Sequence, residues 1–335
     1  MDKLASELRE RRTLDDEGLR TLLESEDASL VESLHRNARE VAVERFGKQV
    51  WLRALIEWSN VCRLDCLYCG IRKSNREVPR YTLSREEILS ACASAWKEGI
   101  RTFVLQGGEN PSGALFLADV VADIRASWPE AAITLSLGEL PFTTYALLRR
   151  RGGDRYLLRH ETASAAHYAR LHPSDMRLDS RMECLQELRR LGFQTGMGMM
   201  VGSPWQTSQD LLADLRLMER FRPEMAGIGP FIPQHSTPLG SFPAGSADVT
   251  LRLYSILRLM LPAIFLPATT ALSTLLPGGR VQGILAGANV IMLNFTPRAY
   301  RPAYSLYEGK PETDGAEALR ELRKELSEAG YKTTS

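Results

Sequence analysis

Apolar residues recur at two different periods along the chain, and the change of period divides it. Over residues 1–48 they fall three and four apart, in "DKLASELRERR" and "DDEGLRTLLESEDASLVESLHRNAREVAVERFG", which predicts helices. Asp15 or Asp16 would cap one of them. Beyond residue 48, short apolar runs alternate with longer amphipathic stretches. The runs predict strands at 51–57, 101–106, 131–137, 154–160, 194–200, 225–231, 263–268 and 288–293. The stretches predict helices near 84–98, 113–127, 142–151, 178–191, 207–221, 247–260 and 280–286, and a last charged helix at 314–329.

Strands that each lead into a helix-like segment must pair in parallel. The expected fold is therefore α/β, a (β/α)8 TIM-type barrel. It carries an N-terminal helical extension over 1–48, the barrel over 49–310 and a C-terminal helix and tail over 311–335. A doubly wound open sheet would show a glycine fingerprint after its first strand, and "WLRALIEWSN" has none. In such a barrel the active site lies at the C-terminal ends of the strands.

Composition removes several classes of function. Net charge is +1 with acids and bases interspersed, so no basic stripe points to nucleic acid. The charged start, "MDKLASELRERRTLDDEGLR", is no secretory signal. The most apolar stretch, 253–272, holds Arg258 and two prolines, which reads as buried helix and strand and not as a membrane span. A cytoplasmic protein with no membrane partner is expected. Its five cysteines are too few for a disulfide framework in a chain this long, and clustered thiols in a reducing compartment bind metal.

"SNVCRLDCLYCGIR" (59–72) gathers Cys62, Cys66 and Cys69 directly after the first strand. A structural zinc site would need a fourth ligand. His35 lies far upstream, and Cys92 and Cys184 fall in predicted helices, where they read as core thiols. Three thiolates suit a [4Fe–4S] cluster that keeps one iron open for a small molecule. This spacing, with Tyr68 just before the last cysteine, resembles the signature of the radical S-adenosylmethionine (SAM) superfamily. The resemblance implies a radical SAM barrel, one [4Fe–4S] cluster on these cysteines, and SAM chelated to the open iron. Reduction by an electron donor would then release a 5′-deoxyadenosyl radical. Tyr68 would lie beside the adenine, unless it is only a half-buried loop aromatic.

Other polar groups fall at strand ends. In "LQGGEN" (105–110), Gly107 and Gly108 let a ligand approach the backbone, and Gly107–Glu109 resembles the superfamily's motif for the methionine amino group; a plain turn would look the same. Period two puts Thr134 and Ser136 on one face of the third strand, and Arg159 and Glu161 on one face of the fourth, with His160 opposite. A glutamate there suits ribose hydroxyls and an arginine suits a carboxylate; an internal Arg159–Glu161 ion pair is the alternative. His160 reads as a structural hydrogen-bonder. Thr269, Thr270, Asn294, Thr296, Tyr300 and Tyr304 follow the last two strands. They suit a polar substrate and ordinary loops equally well.

"RYLLRHETA", "GIGPFIPQHSTPL", "PATTA" with "PGGR", and "GANVIMLNFTP" resemble, in order, the HydE family of [FeFe]-hydrogenase maturases. The resemblance implies that Ser136, Glu161 and Arg181 hold SAM. It also implies that Arg159, Thr269, Thr270, Tyr300 and Tyr304 bind a carboxylate-bearing substrate, a cysteine-bound Fe(CO)2CN precursor made by HydG, whose product passes to HydF. A second iron–sulfur cluster is not expected, because no cysteine follows Cys184. The same absence argues against biotin synthase. A methylornithine synthase-like lysine mutase and a non-catalytic iron–sulfur carrier are the competing readings.

Overall fold

The computed structural model describes residues 3–310 and 315–334. Its strands are β1 (Gln49–Ser59), β2 (Thr102–Gly107), β3 (Ala132–Ser136), β4 (Arg155–Leu157), β5 (Gln194–Met197), β6 (Met200–Val201), β7 (Met225–Ala226), β8 (Gly229–Pro230), β9 (Val290–Asn294) and β10 (Lys332–Thr334). Alternation along β1 sets the architecture. Val50, Leu52, Ala54, Ile56 and Trp58 join one core with helix residues such as Leu34, Ile88 and Leu117. Arg53, Leu55, Glu57 and Ser59 take the opposite face.

Pairing is parallel throughout, in the order β1, β2, β3, β4, β5, β7, and β9 lies against β1. The gap between β7 and β9 is spanned by residues 263–268, which make single parallel bridges, Phe265 to Met225 and Pro267 to Val290. Ala226 N–H donates to the Phe265 carbonyl (3.0 Å) and Ala268 N–H to that of Val290 (2.9 Å). The ring thus closes through eight positions, the expected (β/α)8 barrel.

Two expected strands are broken. Residues 194–200 divide into β5 and β6, and 225–231 into β7 and β8, with β6 paired to β8. A Cβ at residue 198 would stand 2.2 Å from the Gly227 carbonyl oxygen, so the chains meet where only glycine fits, and the ladder breaks there. The expected seventh strand shrinks to its two bridges because Pro267 cannot donate. β10, which was not anticipated, pairs with the start of β1.

The helices follow expectation closely, apart from two short ones, Ala165–Leu171 and Thr270–Leu275, that were not anticipated. α1 (Lys3–Arg11), α2 (Asp16–Glu24) and α3 (Ala28–Phe46) form the extension, and Asp15 caps α2 through Gly18 N–H. The barrel helices are α4 (Arg85–Lys97), α5 (Pro111–Ser127), α6 (Phe142–Arg150), α7 (Ala165–Leu171), α8 (Leu178–Arg190), α9 (Ser208–Phe221), α10 (Ala247–Met260), α11 (Thr270–Leu275) and α12 (Gly279–Leu285). α13 (Gly315–Glu328) follows; the start expected at 314, and residue 311 where the C-terminal segment was expected to begin, lie outside the described residues. Leu34, Ala38 and Val41 of α3 share one core with Leu253, Ile256 and Leu257 of α10, so the extension is packed onto the barrel. Among the described residues no helix is long and apolar enough to cross a membrane.

Candidate active site

The cysteines lie on the loop that leaves β1 at the C-terminal end of the barrel. That loop is held by polar residues the sequence reading missed. Arg80 donates to the carbonyls of Asn60 (2.8 Å), Ile71 (2.7 Å) and Asn75 (3.0 Å). Asp65 accepts from Arg72 Nε (2.7 Å), Ser74 N–H (3.0 Å) and Ser74 Oγ (2.6 Å). Asn60 donates to the Ala303 carbonyl (2.6 Å), tying the loop to the chain beyond β9. Burial pushes all three thiols up, Cys69 to about 12; Cys66 also feels Cys69 and Cys62, and Cys69 feels Cys62. Arg181 opposes the rise at Cys66. Deprotonating three crowded thiols requires a positive body among them.

Around this loop stand the residues expected to hold a ligand. Gly107 and Gly108 end β2; a Cβ at 108 would fall 2.4 Å from the Val61 carbonyl oxygen and 2.8 Å from Cys62 Cβ. Glu109 is buried, but its carboxylate is spent on the scaffold. It accepts from Arg63 Nε (2.9 Å) and Glu139 N–H (2.6 Å), and burial raises its pKa. Arg181, in the first turn of α8, donates to Glu139 (2.6 Å) and to the Arg159 carbonyl (3.0 Å). Tyr68 Oη lies 3.2 Å from His172 Nε2. His172 Nδ1 faces the Tyr168 carbonyl at 2.9 Å, which can only accept, so Nδ1 carries the proton and Tyr68 donates to Nε2. Ser136 stands beside Gln106 in register.

Register carries further groups into the lumen. Glu57, Gln106, Ser136 and Asn294 face inward near the strand ends. Glu161 takes φ +66°, a strained turn for a residue with a side chain, held by its N–H to Gly198 and its carbonyl from Met200, each at 3.0 Å. Arg159 Nη2 lies 3.1 Å from Glu161 Oε2, so the ion pair exists, but the contact is not aligned as a hydrogen bond, and Arg159 Nε is buried with no partner at all. Such an orphaned atom suits a ligand. His160 is structural, 3.0 Å from Asp214 and fully buried.

Among the residues expected to bind substrate, Tyr304 is buried in the mouth, its hydroxyl 3.3 Å from Gln106 Nε2. Thr269 caps α11 and touches Tyr254 Oη at 3.3 Å, and Thr270 begins that helix. Tyr300 is not brought to this group. Its ring packs on Tyr81 (4.9 Å) and its hydroxyl donates to Glu87 of α4 at 2.8 Å. The mouth also holds groups the sequence did not flag. Glu57, whose side chain is 1% exposed, pairs with Lys310 and accepts from Asn294 (3.0 Å). Burial raises the Tyr307 phenol, and Arg159 partly offsets it, which places the two near each other. These contacts join residues more than a hundred positions apart, and no local motif announces them.

Residues 56–218 match the radical SAM superfamily model. The [FeFe] hydrogenase maturase subunit HydE of Thermotoga maritima is 44% identical over 303 residues, covering 90% of this chain and 86% of that one. The chain belongs to the HydE family of radical SAM enzymes. The crystal structure of methylornithine synthase superposes with a TM-score of 0.85 at 27% identity, covering 99% of this chain and 97% of that one. A HydG crystal structure superposes at 0.84 with 22% identity, covering 99% and 76%, and shows the shared fold. Radical SAM membership implies SAM and a [4Fe–4S] cluster, and the HydE-family loop fits them. Among the described residues no three Cys, His, Asp or Glu side chains converge as a single ion requires. Gly107 and Gly108 let the end of β2 pack tightly on Trp58, Val61 and Cys62, and the buried Arg159 Nε, which has no hydrogen-bond partner, leaves a donor for a ligand.

Proposed function

We propose that this chain is the HydE-type maturase of [FeFe]-hydrogenase assembly, acting at the sulfur of a cysteine-bound Fe(CO)2CN precursor from HydG and yielding an intermediate for HydF. The similarity to HydE along 90% of the chain carries this reading. When bound, the cluster and SAM supply a 5′-deoxyadenosyl radical on receipt of one electron. The chain's own residues do the rest. Cys62, Cys66 and Cys69 anchor the cluster, and Asp65 and Arg80 fix the loop that presents them. The Gly107 and Gly108 backbone, Tyr68, Ser136, Glu161 and Arg181 line the SAM side. Glu109 serves by locking Arg63 to the loop after β3. Arg159, with Thr269, Thr270 and Tyr304, faces the carboxylate of the substrate; Tyr300 acts from outside, through Tyr81 and the cap of α4. The buried walls exclude water from the reacting centre.

The lysine-mutase reading draws on the fold match to methylornithine synthase. One anaerobic experiment separates them. The reconstituted, reduced protein receives SAM with the HydG-derived iron–cysteine complex, with lysine, or with neither, and adenosyl products are quantified. Products that depend on the iron complex support the maturase. Turnover with lysine moves the assignment to the mutase, and cluster binding without SAM cleavage would leave only a carrier. Cys66→Ala should lose most of the bound iron; full iron content would refute the ligand assignment.

A further inference from the structure

α7 and the residues after it lie along the cysteine loop. Leu67 N–H donates to the Leu171 carbonyl (2.9 Å), and Leu67 and Tyr68 pack on a small core of Leu171, Met200, Phe231 and Leu239. Tyr68 Oη meets His172 Nε2 at 3.2 Å, and Cys66 Sγ donates to Met176 Sδ at 3.9 Å. The ring of Tyr168 stacks on the His172 imidazole, with centroids 3.9 Å apart and planes 20° apart. Residues 172 and 176 thus touch the stretch from Cys66 to Tyr68, and Tyr168 is fixed against 172.

Tyr168 is 1% exposed, and its hydroxyl is buried with no hydrogen-bond partner. A phenol sealed from water normally finds one. Burial pushes this phenol up, so it keeps its proton and can donate. Arg181 opposes the rise, while Glu139, Cys66 and Glu161 add to it, which puts those four groups around the hydroxyl. Arg181 can only donate. Glu139 already accepts from Arg181 at 2.6 Å, and Glu161 lies 3.1 Å from Arg159. That leaves Cys66. As a thiol it turns its proton to Met176 and is a weak acceptor. As a metal-bound thiolate it has no proton to give and takes a donor well.

We infer that the Tyr168 hydroxyl donates a hydrogen bond to the Cys66 sulfur in the metal-loaded protein and so sets how readily the metal centre is reduced. The inference rests on the reading that Cys62, Cys66 and Cys69 hold an iron–sulfur cluster. A hydrogen bond to a cluster sulfur draws off negative charge, and reduction adds one negative charge. The donor therefore favours the reduced form over the oxidised one and raises the reduction potential.

The test uses the full chain, reconstituted anaerobically without SAM, and follows the cluster by electron paramagnetic resonance through a reductive titration. Tyr168→Phe keeps the ring and its stack on His172 and removes only the hydroxyl. It should hold as much iron and sulfide per chain as the unaltered protein. It should be about tenfold harder to reduce, a shift of about 59 mV to more negative potential for one electron. A ring-fluorinated tyrosine at the same position is a stronger donor of the same shape, and it should move the potential the other way. The iron–thiolate stretches in resonance Raman spectra should shift in deuterated water for the unaltered chain and shift less in Tyr168→Phe. Equal potentials in all three proteins would overturn the inference. So would an unchanged potential with weakened SAM binding in Tyr168→Phe, which would give the hydroxyl to SAM. Loss of iron from Tyr168→Phe with no shift in the fluorinated protein would overturn it too, since the hydroxyl would then only hold the loop. An unaltered chain that assembles no iron–sulfur cluster would fail the cluster reading itself, and this inference with it.

Discussion

A methyl group at residue 108 has no room. Its carbon would press on the Val61 carbonyl at 2.4 Å, and that backbone carries Cys62. Gly108→Ala is expected to displace the cysteine and lower cluster content severalfold, with the barrel still folded. Iron and sulfide per chain after anaerobic reconstitution check it; full content would show that the loop yields at no cost. His172 makes a different single-residue prediction. Burial holds it down to about 3, against ~6.5 in an unfolded chain. As pH falls below ~6.5 the unfolded chain takes up a proton that the folded chain refuses, so stability drops as pH falls toward 3. His172→Gln can still accept from Tyr68 but cannot titrate. Thermal unfolding of the apoprotein should then depend less steeply on pH between about 7 and about 5 than in the unaltered chain. An unchanged slope would assign the dependence to other groups, such as His167, which burial also lowers.

At the scale of elements, the cysteine loop is a piece without regular secondary structure made rigid by side chains. Removing the Arg80 guanidinium leaves the Asn60, Ile71 and Asn75 carbonyls without their donor, at roughly 1–3 kcal/mol for each one left unsatisfied. Arg80→Met should speed hydrogen exchange across residues 60–80 while β1, β2 and β3 stay protected; uniform protection would show that Asp65 and Asn60 suffice alone. The loop also shows what a sequence discloses. The thiol spacing is local, so it is legible, as are β1 to β3, whose apolar runs are unbroken by glycine or proline. Arg80 reads as one more surface charge because its partners appear only when the loop closes on itself. The breaks after β5 and β7 were hidden for the opposite reason. Gly198 and Gly227 look like tolerant strand residues until the two backbones meet. Tyr300 misled because following a strand fixes the end of the barrel but not which way a ring turns.

For the whole molecule, the Glu57–Lys310 pair joins the first strand to the last described residue before α13, across the barrel mouth. Lys310 also donates to the Tyr304 carbonyl at 2.9 Å and lies 4.7 Å over its ring, so one ammonium gathers β1, the segment after β9 and a lumen aromatic. Lys310 is 13% exposed and Glu57 1%, which makes the pair costly to form and costlier to break. Lys310→Met should leave a buried carboxylate with Asn294 as its remaining partner and destabilise the chain by about 3–5 kcal/mol. Adding Glu57→Gln should recover much of that loss, because an amide can share Asn294 without a charge to solvate. Denaturant unfolding of the two single variants and the double variant measures the coupling. Additive losses would show that the two groups contribute separately and that the mouth is held by its apolar walls. Strong coupling would mean that closure of the barrel end, and with it the placement of Tyr304 opposite Gln106, depends on one ion pair made between distant parts of the chain.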